Sequence, residues 1–521
     1  MAEQLKELAN QQFKEGSYYE AVRLYTEALA LLPEPKPEYL TNRAAAHFQL
    51  GDFVAAKQDA ERAISLDSTS VKGYWRLAEC ERVMNHYQDS ITFYKQALEH
   101  KPGNRKIVSA IRDVQNLIQL SRPKTGLDSM SLLRALHSVQ PTFTTTSRST
   151  PSLGFPGYPF MSPFGSAGNA PEEVDETERK STPTLPDITP DAIPLYKTTA
   201  EASTIYTPAW LQSCYDYIIR DEKTFHSDIM KDLISRAAVL LNSESTCLEV
   251  TVEKDERLAI VGDIHGSLRD MRALQSKLFS QMADESKRLK IIFLGDYVDR
   301  GAAGHNIITF LLCFKLCYPD RVFLIRGNHE TISMNNFFGY QSQVENLYGT
   351  KSGMFGIMSN LFAELPLSCL VNGEIFCTHG GAPVAADVHP LEISKRFPTR
   401  QVEMNEDLVS ELLWSDPSQE EINEVPCGAP LHCRPSHRGV GFLYDHVAFK
   451  TWAKKHNIRK MFRAHEAIQP IGVRRDFGEN ASSDHDHYTV FSSSQYMGMP
   501  NVGSFVLFTP GLKEQEAIML S

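Results

Sequence analysis

Five short polar runs in the second half of the 521-residue chain carry the residue types that do hydrolytic chemistry. They are Gly262-Asp263-Ile264-His265-Gly266, Gly295-Asp296-Tyr297-Val298-Asp299-Arg300-Gly301, Arg326-Gly327-Asn328-His329-Glu330, Thr378-His379-Gly380-Gly381 and Arg463-Ala464-His465-Glu466. Asp and Asn oxygens mixed with imidazole nitrogens suit divalent ions of intermediate hardness such as Mn, Fe or Zn, whereas an all-oxygen set would suggest Mg or Ca. Glycines beside these residues let the loops turn tightly. Carboxylates brought close together repel unless a cation sits between them, so the cluster itself asks for metal.

One such run occurs by chance; five in order, each behind an apolar stretch, are specific. The stretches are Leu258–Val261, Ile291–Leu294, Val322–Ile325, Ile375–Cys377 and Lys460–Phe462. Short apolar runs that end in glycine-marked loops read as buried strands. Strands that all deliver polar loops at one end imply a sheet with helices on its faces and a site along its carboxyl edge. A helical lead-in is expected over Ala209–Leu241.

The five motifs in this order resemble the phosphoprotein phosphatase family of Ser/Thr phosphatases, within the metallophosphoesterase superfamily. The resemblance covers roughly Tyr206 to Pro510, with lesser echoes at Leu412-Leu413-Trp414-Ser415-Asp416-Pro417 and His437-Arg438-Gly439-Val440. It implies an α/β metallophosphoesterase fold, a β-sandwich flanked by helices, that hydrolyses phosphoserine and phosphothreonine in proteins. It further implies two divalent ions per chain (Mn, Fe or Zn, with Mn the choice in vitro). Asp263, His265 and Asp296 would hold the first, Asp296 would bridge, and Asn328, His379 and His465 would complete the second. Such a pair would lower the pKa of a shared water and aim it at phosphorus, with no phospho-enzyme formed. His329, oriented by Asp299, would protonate the departing alkoxide, a role worth about 10²–10⁴-fold in rate. Arg300 and Arg438 would clamp the phosphoryl oxygens, which guanidinium forks match better than lysine does, with Asn328 and Tyr496 beside the phosphate. One segment departs from the family pattern: Ser-Ala-Pro-Asn-Tyr reads here Ser492-Ser493-Ser494-Gln495-Tyr496, and a more flexible loop is expected.

The first hundred residues repeat. Ala9, Ala44 and Ala78, then Ala21, Ala56 and Ser90, then Ala28, Ala63 and Ala97 recur at spacings of 35 and 34, with Gly16, Gly51 and Asn85 between paired helices. A unit of this length cannot bury its apolar face without a neighbour. Residues 2–120 resemble an all-α solenoid of three tetratricopeptide repeats capped by Arg105–Leu120. Lys6 and Asn10, Asn42, and Lys72 and Arg76 fall on inner helices, where i, i+4 pairs share a face, so three cations and two amides converge on a pocket for a peptide carboxylate. Their placement is similar to the carboxylate clamp that holds the acidic C-termini of the seventy- and ninety-kilodalton heat-shock chaperones.

Residues 121–205 read as a mostly disordered linker, since eleven of the 28 prolines lie between Pro123 and Pro194 and little apolar surface is available to offset chain entropy. A short helix over Ser129–Val139 and four Ser/Thr-Pro pairs fall within it. So does Glu172-Glu173-Val174-Asp175, an internal copy of the chaperone tail that could compete weakly for the clamp. In similar enzymes the repeats cover the catalytic cleft and a C-terminal helix helps to hold them. The tail at 511–521 is long enough for about two helical turns.

Composition bounds the rest. With 42% hydrophobic and 22% charged residues the chain is globular, and 53 basic against 64 acidic residues leave −11, which disfavours nucleic acid or anionic membrane as a partner. No apolar run reaches membrane-spanning length and the start lacks a secretory core. Nine cysteines without a CxxC pair read as free thiols in a reducing compartment. The expectation is a cytoplasmic monomer acting on phosphoproteins, with the nucleus left open. Two other readings remain open: a scaffold whose phosphatase fold only binds, and a dimetal enzyme for nucleotides or phosphodiesters.

Overall fold

The computed structural model describes residues 1–15, 17–83, 86–120, 183–185, 202, 204–284, 288–397, 407–423, 430–478 and 484–521. Most of the linker, with Ser129–Val139, Glu172–Asp175 and, apart from Pro183, the Ser/Thr-Pro pairs, lies outside the described residues.

The N-terminal unit is seven helices, α1 (Ala2–Lys14), α2 (Tyr18–Ala30), α3 (Pro37–Leu50), α4 (Phe53–Leu66), α5 (Val71–Val83), α6 (Tyr87–His100) and α7 (Arg105–Leu120). The small residues that recur in sequence explain the packing: Ala9, Ala21, Ala28, Ala44, Ala56, Ala63, Ala78, Ser90 and Ala97 are all fully buried between helices. The α3–α4 turn bears on function. Gly51 closes α3 in the left-handed region (φ 81°), and the Asp52 side chain accepts from the Ala55 N–H to start α4.

The C-terminal unit is a sandwich of two mixed sheets. Its strands are β1 (Cys247–Val250), β2 (Arg257–Val261), β3 (Leu289–Phe293), β4 (Val322–Leu324), β5 (Ser368–Val371), β6 (Ile375–Thr378), β7 (Asp416–Pro417), β8 (Cys433–Pro435), β9 (Phe442–Tyr444), β10 (Lys460–Arg463), β11 (Val473–Arg475), β12 (Asp486–Val490), β13 (Ser504–Phe508) and β14 (Gln515–Met519). One sheet runs β1-β5-β6-β10-β12-β11 and the other β14-β13-β2-β3-β4, while β7, β9 and β8 form a small third sheet. Leu258 and Ile260 of β2 meet Cys369, Cys377 and Phe462 between the sheets. Alternate residues Ala259 and Val261 face a helical layer instead. Burial on both faces explains the unbroken apolar runs. The five expected strands are β2, β3, β4, β6 and β10, so their following loops converge at one edge.

Two expectations change. The tail after Pro510 forms β14, paired antiparallel with β13 from Ser504↔Met519 to Phe508↔Gln515, and Leu520 is buried in the helical-side core. It completes the sheet that carries β2 instead of forming helical turns that would hold the repeats. The lead-in is also broken, into helices Pro208–Tyr215 and Ser227–Asn242 joined through a wider turn at Asp216–Arg220. The described cysteines are free and buried.

Candidate active site

The loops that carry the motifs are held in costly backbone conformations. His265, Asp296, Asp299, Arg300 and His465 all have positive φ, between 45° and 70°. Such conformations cost on the order of 1–3 kcal/mol each and persist only where surroundings over-determine them. Glu330 supplies part of that constraint. Its buried carboxylate accepts from the backbone N–H groups of Asp296 (2.7 Å), Tyr297 (2.9 Å) and Gly327 (2.9 Å), tying the loop after β3 to the loop after β4. Gly327 is required there, because a Cβ would lie 2.2 Å from Asp296 Oδ1 and 2.4 Å from its nitrogen.

Six side chains meet at the converged edge. His265 Nδ1 lies 3.0 Å from the Val298 carbonyl, so it carries the proton and the Nε2 lone pair faces Asp296 Oδ2 at 3.4 Å and Asp263 Oδ2 at 3.7 Å. His379 Nδ1 likewise donates to the Leu294 carbonyl, 2.9 Å away. Its Nε2 then faces Asn328 Oδ1 (2.8 Å), His465 Nδ1 (3.2 Å) and Asp296 Oδ1 (3.4 Å). The Asn328 oxygen faces these lone pairs, and with the amide turned over its nitrogen would donate to them and to both Asp296 oxygens, 3.1–3.2 Å away. Asp263 Oδ2 and His465 Nε2 are buried and have no hydrogen-bond partner. Acceptors pointed at acceptors are unfavourable unless positive charge lies among them, so this donor set fits divalent cations. Asp296 Oδ2 faces His265 and its Oδ1 faces His379, so this carboxylate lies between the two halves of the cluster.

Electrostatics agree. Burial pushes Asp263 up to about 7, and burial followed by the neighbouring charges of Asp263 and Glu330 pushes Asp296 well above the carboxylate range. Burial also holds His265, His379 and His465 well below the imidazole range, which leaves them neutral and fit to be ligands. A cation would favour the ionised carboxylates and reverse the first effect.

His329 stands beside this cluster. Its Nδ1 is 2.9 Å from Asp299 Oδ2, whose other oxygen accepts from the Tyr340 N–H at 2.9 Å. Burial, with the guanidiniums of Arg300 and then Arg438, lowers its pKa. Arg438 Nε donates to Asp416 Oδ2 at 2.7 Å, and the fully buried Arg463 holds the other Asp416 oxygen at 2.6 Å. The Arg300 guanidinium lies 3.7 Å from the Phe338 ring centroid. Tyr496 stacks on His265 with ring centroids 5.1 Å apart. The segment expected to be loose is bonded along its length. Ser492 Oγ accepts from the Gly262 N–H, Ser494 donates to the buried Asp270 from both nitrogen and hydroxyl, and the Tyr496 N–H donates to Asn501 Oδ1.

Asp263, His265, Asp296, Arg300, Asn328, His329, Arg438, His465 and Tyr496 line one pocket of about 120 Å³, with Leu50, Gly51 and Phe53 of the repeats forming its cover. Arg300 Nη1 donates to the Gln49 carbonyl at the end of α3, and the Val54 N–H donates to the His437 carbonyl at 3.1 Å. Phe48 packs 4.5 Å from Phe337, and Arg82 of α5 lies 4.0 Å over the same Phe337 ring. The expected residues did not reveal Glu330, Asp416 and Arg463 as supports, although all three stand inside or beside the motifs.

In the repeats, Asn42 Nδ2 donates to Asn10 Oδ1 at 3.2 Å and Asn10 Nδ2 donates to Glu7 at 3.4 Å, while Lys6 lies 3.7 Å from Glu7 and 3.5 Å from Glu38, with Glu3 closer still. Lys6 is therefore paired with acids of its own unit. Lys72 and Arg76 stand one turn apart on α5, Lys72 exposed and Arg76 half-buried.

The profile of the calcineurin-like phosphoesterases matches residues 256–469. Serine/threonine-protein phosphatase 5 of Homo sapiens is 25% identical over 506 residues, 97% of this chain and 87% of that protein. The serine/threonine-protein phosphatase 4 catalytic subunit of Eremothecium gossypii is 32% identical over 250 residues, 48% of this chain and 74% of that protein. A solved protein serine/threonine phosphatase from Saccharomyces cerevisiae shares the fold, with a TM-score of 0.50 at 24% identity over 59% of this chain and 95% of that one. The five motif loops, their convergence on one donor cluster and these similarities together place the chain in the serine/threonine-protein phosphatase family of calcineurin-like phosphoesterases.

Proposed function

We propose that this phosphatase works with two divalent cations, one held by Asp263, His265 and Asp296, the other by Asp296, Asn328, His379 and His465. When bound, they supply the Lewis acidity that activates water towards phosphorus. The observation that carries the reading is the convergence of buried lone pairs from Asp296, His265, His379 and His465 on one edge, with Asp263 Oδ2 left without a donor.

The chain's own groups do the rest. Arg300 and Arg438 bind the phosphoryl oxygens, and Asp416 fixes the orientation of Arg438. The arriving dianion offsets the two guanidiniums that, after burial, keep His329 from holding a second proton. Water adds at phosphorus, the P–O bond to the seryl or threonyl oxygen breaks with its electron pair left on that oxygen, and His329 Nε2 delivers the proton it needs. Asp299 holds the ring from behind. Two guanidiniums on one pocket favour a phosphomonoester dianion over a diester, and a complete proton-donor pair favours an enzyme over a scaffold.

The repeats add two further roles. Lys6, Asn10, Asn42, Lys72 and Arg76 bind the free carboxylate end of an acidic chaperone tail, a reading supported by the pattern of the five residues and by the Asn10–Asn42 contact. The α3–α4 turn restrains catalysis, because the Gln49 carbonyl occupies the guanidinium meant for phosphate and Leu50, Gly51 and Phe53 cover the pocket.

The test is hydrolysis of a phosphoserine peptide with added manganese. We expect metal-dependent release of phosphate that His329→Ala lowers about 10²–10⁴-fold. Equal activity in the two proteins would contradict the assignment.

A further inference from the structure

One buried polar side chain beside the site is used by nothing described so far. Asn335 sits on the short helix Ile332–Phe338, which follows the Asn328-His329-Glu330 motif, and it is fully buried. Its Nδ2 donates to Asp299 Oδ2 at 2.9 Å and to the His329 backbone carbonyl at 2.6 Å. Its Oδ1 has no partner. A buried amide with an unsatisfied oxygen is costly in a core position where an apolar residue would pack, so the two bonds made by the nitrogen are the feature retained.

Those two bonds grip both members of one pair. Asp299 Oδ2 accepts from His329 Nδ1 and from Asn335 Nδ2, each at 2.9 Å, while Oδ1 takes the Tyr340 N–H. With three donors placed around it, the carboxylate has one orientation left towards the imidazole. The second Asn335 bond fixes the backbone from which that imidazole hangs. The same helix also places a phosphate ligand: the Phe338 carbonyl accepts from the Arg300 N–H at 3.1 Å, and the Phe338 ring lies under the Arg300 guanidinium.

We infer that Asn335 is a positioning residue for proton delivery to the leaving group, aligning the Asp299–His329 pair so that His329 Nε2 meets the seryl oxygen as the P–O bond breaks. The inference rests on the reading of His329 as the proton donor. It predicts a defect that depends on the leaving group, because an alkoxide needs the proton at departure and a nitrophenolate scarcely does.

The test uses the full chain with manganese and compares a phosphoserine peptide with p-nitrophenyl phosphate for the native protein, Asn335→Ala, Asn335→Asp and His329→Ala. Asn335→Asp keeps the shape of the side chain but removes its donor when ionised, and it serves if the alanine variant does not fold. We expect either variant to lower kcat on the peptide about tenfold or more with KM within about twofold, and to lower kcat on the nitrophenyl ester less than about threefold. Equal losses on both substrates, a loss expressed in KM, or no loss would overturn the inference. If His329→Ala itself loses equally on both substrates, the proton-donor reading fails first. If its loss is selective and that of Asn335 is not, only the role of Asn335 falls.

Discussion

Phe337→Ala should release the cleft without touching the chemistry. Phe337 lies on the phosphatase side of the cover, half-buried, and reaches two groups of the repeats: the Phe48 ring, with centroids 4.5 Å apart, and the Arg82 guanidinium, 4.0 Å above its face. An aromatic pair is worth about 0.5–1.5 kcal/mol beyond area burial, and a partly desolvated cation–π contact about 0.5–1 kcal/mol. Truncation therefore removes about 1–2.5 kcal/mol from the closed arrangement, which shifts the balance between closed and open cleft roughly 5- to 60-fold at about 1.4 kcal/mol per decade. Basal kcat/KM on p-nitrophenyl phosphate should rise by up to that factor, limited by the activity of the fully open enzyme. Thermal unfolding measured alongside separates release from damage. An unchanged basal rate in a protein that still folds would refute the argument that the α3–α4 turn restrains the site.

Other consequences follow from the same geometry. Because burial, with the charge of Glu330 beside it, raises Asp263 to about 7, metal must displace a proton from the metal-free protein below that point, so manganese affinity measured by competition with a chelator should fall as pH drops from 7 to 5, by up to about tenfold per unit for each proton displaced. A pH-independent affinity would contradict the buried-carboxylate reading. Asp416→Asn should leave metal content unchanged but raise KM for a phosphoserine peptide several-fold, because Arg438 loses the carboxylate that aims it. Lys6→Ala should weaken binding of an acidic peptide with a free carboxylate by roughly tenfold in a fluorescence-anisotropy titration, the scale of one charged hydrogen bond. Unaltered affinity would remove Lys6 from the clamp.

The sequence was most informative where one residue type has one use. Paired Asp and His beside glycine, repeated behind five apolar runs, reveal the donor cluster because few other structures need that combination. The strands they follow are legible because both faces are buried. Small residues recurring at 34–35 mark the helix contacts of the repeats, and all nine are buried as that spacing demands. The unread features involve partners far apart in sequence or backbone atoms. Glu330 acts on three N–H groups in two loops, and any residue supplies an N–H. The Gln49 carbonyl at Arg300 is equally anonymous. The length of the tail says nothing of its partner: Gln515–Met519 faces an open edge of β13, and pairing with that edge outweighs a two-turn helix, which is marginal without packing. In the Ser492–Tyr496 segment the missing proline suggested flexibility, whereas bonds from Ser494 to Asp270, 224 residues away, hold the loop.

Equilibrium dialysis of the full chain against manganese, followed by elemental analysis, is the most direct test of the central claim that six side chains hold a pair of cations. The proposed ligand sets predict two ions per native chain and a loss of both on Asp296→Ala, since Asp296 would belong to both sets. A native chain that binds none, or an Asp296→Ala variant that keeps two, would contradict it.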